Sequence, residues 1–486
     1  MQNRDETLVG ASVGLWPSFN ALSITVRNLI TQVLNPADER SRTQSNAILA
    51  FAVRVASAAL LYVMQIVLAR FMGSFEYGIY VFVWTWVLIL GGLATLGLTI
   101  TAIRLVPEYV ERSEISKLRG LLFGSRLIAF VTGTAIAAAG FLGLYAFAPF
   151  ISQYYVLPAY LALVCVPIYA IGDMQDGLGR GQAWMGVALI PPYVLRPLLI
   201  LVFMLLANWA GFPMIATTAV GAAIFGTWIA TLVQMFVLNR KFQQALTHIS
   251  KSGAGLPPEQ FSGGAHSRQF ELNRWLKMSA PLLVINACEL LLQNTDILII
   301  SQYLNPAEVG IYFAATKTMS LIMFVHYAVG SAVANRFSAL KARGDEAELQ
   351  AFVNDALHWT FWPSLAAAVL LLLLGRPLLM LFGPQFAVEG YAVMAILAVG
   401  FLLRSAVGPA EFLMNMLGEQ RLCAIVLVAT AVLNIVLNFI LVPIFGLTGA
   451  AFATATSLSV GALAHYFAVR HRLGLDLAIW KTLKRA

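Results

Sequence analysis

Ten ionisable residues sit inside or at the ends of apolar stretches, where a charge needs a reason. Arg54, Arg126, Arg196, Lys317 and Arg404 lie within such stretches, as do Glu289, Asp296 and Glu411, while Asp173 and Asp176 close another. A charge at the centre of a bilayer costs at least ~2.5–3.5 kcal/mol. The five cations are therefore expected to face a hydrated interior, where Arg and Lys suit phosphate and carboxylate oxygens. Each also has a structural explanation. Arg126 is near the end of its stretch and can snorkel. Glu289 can neutralise Lys317. Glu411 can neutralise Arg404, seven residues away and two turns along the same helix face. Glu289 and Asp296 have the same spacing and form a candidate site for a coupling cation, Na+ or H+. With cations in excess, the interior suits an anionic cargo.

The positioning elements must be membrane helices. Of 486 residues, 59% are hydrophobic and only 11% charged, against roughly 25% charged in soluble domains. The mean hydropathy is +0.79. Spans of about 20 apolar residues are expected at 46–69, 79–103, 121–147, 156–174, 184–207 and 213–238, then at 276–301, 308–335, 356–379, 388–415, 421–444 and 447–470. Residues 46–238 thus form one six-helix lobe and 276–472 a second. The polar, glycine-containing stretch 239–275 is the linker and 473–486 a basic tail. Residues 1–45 contain no cleavable signal peptide, and 16–34 are either a helix on the membrane surface or a tail without structure.

The net charge of +8 does not indicate nucleic acid, because the basic residues cluster in short loops. With the N-terminus inside, 24 of the 31 Lys and Arg residues fall on the cytoplasmic side and only Arg70 and Arg376 outside. Both termini are expected to be cytoplasmic. Cys165, Cys288 and Cys423 lie in apolar spans at no metal-binding spacing.

The two lobes read as one unit written twice. Glu76-Tyr77-Gly78-Ile79-Tyr80 returns as Glu308-Val309-Gly310-Ile311-Tyr312, and Arg104 returns in register as Arg336. Gly221-Ala222-Ala223-Ile224 is echoed by Gly449-Ala450-Ala451-Phe452. Duplicated bundles are a common transporter architecture, with the substrate site between the repeats. Pro191-Pro192, followed by Arg196-Pro197, marks span five as bent beside its arginine.

The stretch from Leu68 to Tyr80 resembles a hairpin of polysaccharide exporters, with Met72 in place of leucine. So do Leu417-Gly418-Glu419-Gln420, Leu433-Asn434-Ile435-Val436-Leu437-Asn438 and Val442-Pro443-Ile444-Phe445-Gly446-Leu447-Thr448-Gly449-Ala450-Ala451. On these residues the chain resembles the polysaccharide exporter and oligosaccharide flippase family of the multidrug/oligosaccharidyl-lipid/polysaccharide superfamily. The resemblance covers roughly residues 46–472. It implies an all-α membrane protein whose twelve helices form two pseudo-symmetric lobes around a V-shaped central cavity. The implied activity is movement of undecaprenyl-diphosphate-linked oligosaccharide across the bacterial inner membrane, for lipopolysaccharide or exopolysaccharide assembly. The implied partners are that lipid-linked glycan, membrane lipids and polysaccharide polymerase machinery. No cofactor or metal is expected beyond a coupling ion.

Two rivals remain. A drug exporter of the same superfamily typically carries an acidic residue in its first span, where this chain offers Arg54. A membrane polymerase or ligase needs a large outer loop with catalytic groups, and the loops here are short. No P-loop, metal-binding His-Glu pair or nucleophile elbow occurs, and His326 and His358 have no ligand partner nearby in sequence.

Overall fold

The computed structural model describes the backbone of residues 39–252 and 268–479, with side chains from Val55 to Ala245 and from Arg268 to Ile479. The proposed surface helix at 16–34, the linker glycines and the end of the basic tail lie outside the described residues. Among those described there is no strand. In chain order the first half contains α1 (Glu39–Ala94), α2 (Leu98–Glu111), α3 (Ile115–Phe147), α4 (Gln153–Gly181), α5 (Met185–Ile190), α6 (Arg196–Trp209) and α7 (Ala216–Ser252). The second contains α8 (Leu272–Tyr303), α9 (Pro306–Met319), α10 (Met323–Arg343), α11 (Glu346–Leu373), α12 (Gly375–Met380), α13 (Pro384–Ser405), α14 (Ala410–Met416) and α15 (Gln420–Leu473).

Among the described residues ten helical stretches are long and apolar enough to cross a membrane. The chain is a multi-pass membrane protein. Two of the ten are broken by glycine: α1 at Gly73 (φ 75°) and α15 at Gly446 (φ 60°), a backbone conformation that favours glycine. These breaks fall where the sequence reading divides span one from two and eleven from twelve.

Two other spans are not continuous as expected. The second breaks at Leu96 (φ 53°) and Gly97 (φ 74°) before α2 resumes the course. A Cβ on Gly97 would lie 2.7 Å from the Leu283 nitrogen and the Ser279 oxygen, so only glycine lets α8 approach there. The tenth ends at Ser405 and restarts at Ala410, with Gly408 at φ 63° between.

The buried side chains form three cores. The largest draws on both halves, from Leu68, Tyr77 and Ile79 to Ile311, Tyr312, Phe382 and Phe386. The other two lie each mainly in one half, with the start of α8 crossing into the first. One contains Leu105, Leu121, Met174 and Leu238 with Trp275; the other contains Phe337, Leu357, Leu413 and Val469. The shared core includes the region around Arg70, the charge-poor end of the bundle. The divided cores occupy the charge-rich end.

At the charge-poor end the two copies of the repeat pack on each other. A Cβ on Gly78 would collide with the Pro306 carbonyl oxygen and lie 3.2 Å from the Gly310 nitrogen. A Cβ on Gly310 would lie 3.1 Å from the Ser74 oxygen. Small residues at a crossing allow backbones to approach, the main source of helix association in lipid. Around them, Tyr77 packs on Phe313, Phe382 and Phe386. Arg70 donates to the carbonyls of Leu381 (2.6 Å) and Met380 (2.5 Å), and Ser74 to Gln385 (2.7 Å).

At the charge-rich end, among the described residues, it is α8 that bridges the halves, most densely at its start. Arg274 pairs with Glu108 at 2.6 Å and Lys117 with Glu271 at 3.1 Å. Tyr109 donates to Glu271 at 2.5 Å and accepts from the Trp275 indole at 3.1 Å. The Gln269 backbone N–H donates to the Ser116 carbonyl at 3.0 Å. Residues 268–275, assigned to the linker from sequence, are thus docked on α2 and α3. The Tyr109 hydrogen bond, with help from Lys117 and Arg274, holds the Glu271 carboxyl down at about 2. The Arg274 guanidinium likewise lowers Glu108.

Candidate functional site

The cations predicted from sequence occupy different settings. Arg54 is on α1, but its side chain lies outside the described residues. Arg126 on α3 donates to Asn239 of α7 at 2.7 Å, and its Nε and Nη2 are buried with no partner among the described residues. Lys317 on α9 is exposed, its ammonium over the Phe313 ring at 5.1 Å. It makes no ion pair with Glu289, which is also exposed.

Arg196 and Arg404 each line a pocket. The Arg196 pocket lies wholly in the first half, among Tyr169, Asp173, Asp176, Tyr193, Thr231 and Gln234. Pro191 and Pro192 cannot donate to the helical ladder, and α5 passes through a π-helical turn at Pro191–Leu195, in which the Arg196 amide donates to the Pro191 carbonyl. Such turns occur often at functional sites. The guanidinium then lies against two aromatic rings, 5.3 Å from the centre of Tyr169 and 5.8 Å from that of Trp84. Among the described residues no carboxylate forms an ion pair with it. The nearby acids are engaged elsewhere: Asp173 accepts from Thr99 at 2.8 Å, and Asp176 pairs with Arg180.

The Arg404 pocket lies in the second half, lined by His326, Glu411, Thr430, Gly461 and His465. Here the structural alternative is realised, with Arg404 donating to Glu411 at 2.7 Å. The break between α13 and α14 places the two side chains face to face. His465 uses Nδ1–H to donate to the Gly461 carbonyl at 2.9 Å, since a carbonyl only accepts. Both ring nitrogens of His326 are buried without a partner among the described residues.

Asp296 belongs to a third setting. It accepts from Thr454 (2.6 Å), Tyr312 (2.8 Å) and Asn438 (2.8 Å), and Asn434 donates to Thr454 at 3.3 Å. The side-chain oxygens of Asn434 and Asn438 are buried without a partner among the described residues. Glu289 is no part of this cage. Sequence reasoning picked out Asp296 and paired it with Glu289, and it gave no role to Tyr312, Thr454, Asn434 or Asn438. The four-residue spacing of the two asparagines, which puts both on one face of α15, was the available signal.

A family model described as "Polysaccharide biosynthesis protein" matches residues 44–341, and one described as "MatE" matches 281–440. A probable low-salt glycan biosynthesis flippase of Haloferax volcanii, Agl15, is 28% identical over 171 residues, 35% of this chain and 36% of the relative. A putative O-antigen transporter of Shigella flexneri is 22% identical over 314 residues, 62% of this chain and 67% of the relative. The chain thus spans about a third of the length of the first relative and two thirds of the second.

Among solved structures, an inward-facing multidrug resistance MATE family transporter aligns with a TM-score of 0.69 at 14% identity, over 87% of this chain and 98% of that one. An outward-facing structure described in the same terms gives 0.58 over 88% and 94%. The lipid II flippase MurJ, in an inward closed conformation, gives 0.65 at 17% identity over 87% of each chain. These likenesses show the fold, a two-lobed transporter bundle.

Proposed function

The chain belongs to the polysaccharide biosynthesis protein family, and on that premise we propose that it is a flippase for lipid-linked oligosaccharide. It moves a polyprenyl-diphosphate-linked glycan between the leaflets of a bacterial inner membrane, with both its termini in the cytoplasm. The cargo enters between the halves, and the cavity cations hold its phosphates and any acidic sugars. The lipid tail stays in the bilayer while the halves rock to expose the other face. The step is transport, with no covalent chemistry.

The observation that carries this reading is the division of the cores. One core welds the halves at the charge-poor end, and two separate cores leave them parted at the charge-rich end, apart from α8. Under the charge bias of the loops this is an inward-facing arrangement, with access for a cargo assembled in the cytoplasm. The names of the curated relatives support the same cargo class.

The Asp296 cage is the seat for a coupling cation, Na+ or H+. A buried carboxylate beside two unpartnered amide oxygens favours positive charge. The match of residues 281–440 to the MatE family favours drug export as a second reading. A strain lacking the gene separates the two. The flippase reading predicts loss of surface glycan and lipid-linked glycan trapped in the inner leaflet, with unchanged sensitivity to cationic dyes. Intact glycan with raised dye sensitivity would establish the second reading in its place.

A further inference from the structure

The two arginine pockets are not equivalent. In the second half, Arg404 is neutralised by Glu411 at 2.7 Å. In the first half, Arg196 lies against Trp84 and Tyr169 and shares its pocket with Asp173 and Asp176, and among the described residues none of these carboxylates forms an ion pair with it. We propose that the Arg196 pocket is a glycan subsite that takes one sugar ring of the cargo, and that Arg196 reads a carboxylate on that ring. This rests on the flippase reading above and adds which part of the cargo this pocket holds.

The charge balance argues against the diphosphate here. Arg196 and Arg180 face Asp173 and Asp176, which sums to zero formal charge. A diphosphate would meet two carboxylates with no surplus of cations to offset its own charge. A singly charged sugar brings less charge into the same pocket. The guanidinium fork matches one carboxylate with two parallel hydrogen bonds. Asp173, Asp176, Thr231 and Gln234 line the same pocket and present acceptors and donors of the kind that ring hydroxyls need.

The shape agrees with the charge. Tyr169 and Tyr193 line the pocket, and Tyr193 is 37% exposed, so a ring face is available for the apolar side of a pyranose. The π-helical turn holds Arg196 at that wall, and α7 packs tightly behind it: a Cβ on Gly226 would lie 3.3 Å from the Arg196 carbonyl. The guanidinium is thus pre-positioned and, among the described residues, without an ion-pair partner, as expected of a group that meets an anion only when cargo is present.

The test uses the purified full-length protein in lipid nanodiscs with three probes: glucuronate, glucose and inorganic pyrophosphate. Binding is read by saturation-transfer NMR. The expected result is that glucuronate binds at least tenfold more tightly than glucose, and that Arg196→Lys, which keeps the charge and loses the fork, removes that preference. Tyr193→Ala, at an exposed position, is expected to weaken both sugars severalfold. The proposal is overturned if pyrophosphate displaces glucuronate in an Arg196-dependent manner, if Arg196→Lys binds glucuronate as well as the parent does, or if neither sugar binds. A parallel liposome assay of lipid-linked glycan movement separates the two levels. Movement without Arg196-dependent sugar binding sinks the subsite alone, and absence of movement sinks the flippase reading beneath it.

Discussion

Gly78 and Gly310 lie backbone against backbone where the two halves meet, so the repeated sequence motif is also the contact between the repeats. Gly78 is the tighter of the two, because its missing Cβ would occupy the place of the Pro306 carbonyl oxygen. Gly78→Ala is expected to destabilise the closed charge-poor end by about 1–3 kcal/mol, the usual cost of overpacking. Gly310→Ala should cost less, since its nearest neighbours lie at 3.0–3.1 Å. Thermal unfolding in detergent tests the order; equal midpoints for the two variants would contradict it.

Arg70 clamps the same end through two carbonyls of the opposite half. Each charge-assisted hydrogen bond contributes about 1.5–3 kcal/mol at most, and the exposure of this side chain lowers that figure. Arg70→Ala should leave the fold intact and raise the labelling rate of a cysteine placed at Ser74. An unchanged rate would mean that the clamp does not hold the end shut.

Arg404 and Glu411 should behave as a coupled pair. Removing one partner leaves an uncompensated charge and costs roughly 3–5 kcal/mol when burial is complete. These side chains are 19% and 21% exposed, so a smaller value is expected. Arg404→Met with Glu411→Leu should be milder than either single change. A double-mutant cycle showing simple additivity would refute the coupling.

The Asp296 cage predicts ion-dependent stability. Replacing choline with Na+, or lowering the pH at fixed salt, should raise the unfolding temperature of the parent protein. Asp296→Asn should abolish whichever response is seen. A response retained in that variant would place the cation elsewhere.

The bridge from α8 to α2 and α3 should weaken in acid. Glu271 and Glu108 have carboxyls held below their unfolded value, so their contribution is complete above an unfolded value of about 4.3 and is lost as the pH falls toward the folded one. For Glu271 that window runs down to about 2. Both groups are well hydrated, and the network contributes on the order of 1 kcal/mol. Hydrogen exchange at the start of α8 should quicken from pH 6 to pH 3.5, after correction for intrinsic rates, and Glu271→Gln should show the quicker exchange already at pH 6.

The sequence made the helical membrane architecture and the repeat legible because both are local patterns: long apolar runs, and a five-residue motif that returns. It did not reveal partners brought together by folding. Arg70 reads as an isolated loop cation, yet its acceptors are 310 and 311 residues away. Asp296 shares a helix with Glu289, yet Asn438 and Thr454, 142 and 158 residues on, surround it. The helix breaks at Leu96-Gly97 and Val407-Gly408 were hidden because the flanking residues are apolar and read as continuous span. Arg404 and Glu411 were paired correctly from sequence because their seven-residue spacing happens to survive the break between α13 and α14.

The central claim is that these halves carry a lipid-linked glycan between leaflets. The direct measurement places the purified protein in liposomes holding a fluorescent polyprenyl-diphosphate oligosaccharide and bleaches the outer leaflet with a reagent that does not cross the membrane. The account predicts bleaching that continues past the outer-leaflet pool with the parent protein, and bleaching that stops at that pool when Arg196 and Arg404 are both replaced by Ala. Bleaching confined to the outer leaflet with the parent protein, or undiminished movement in the double variant, would contradict it.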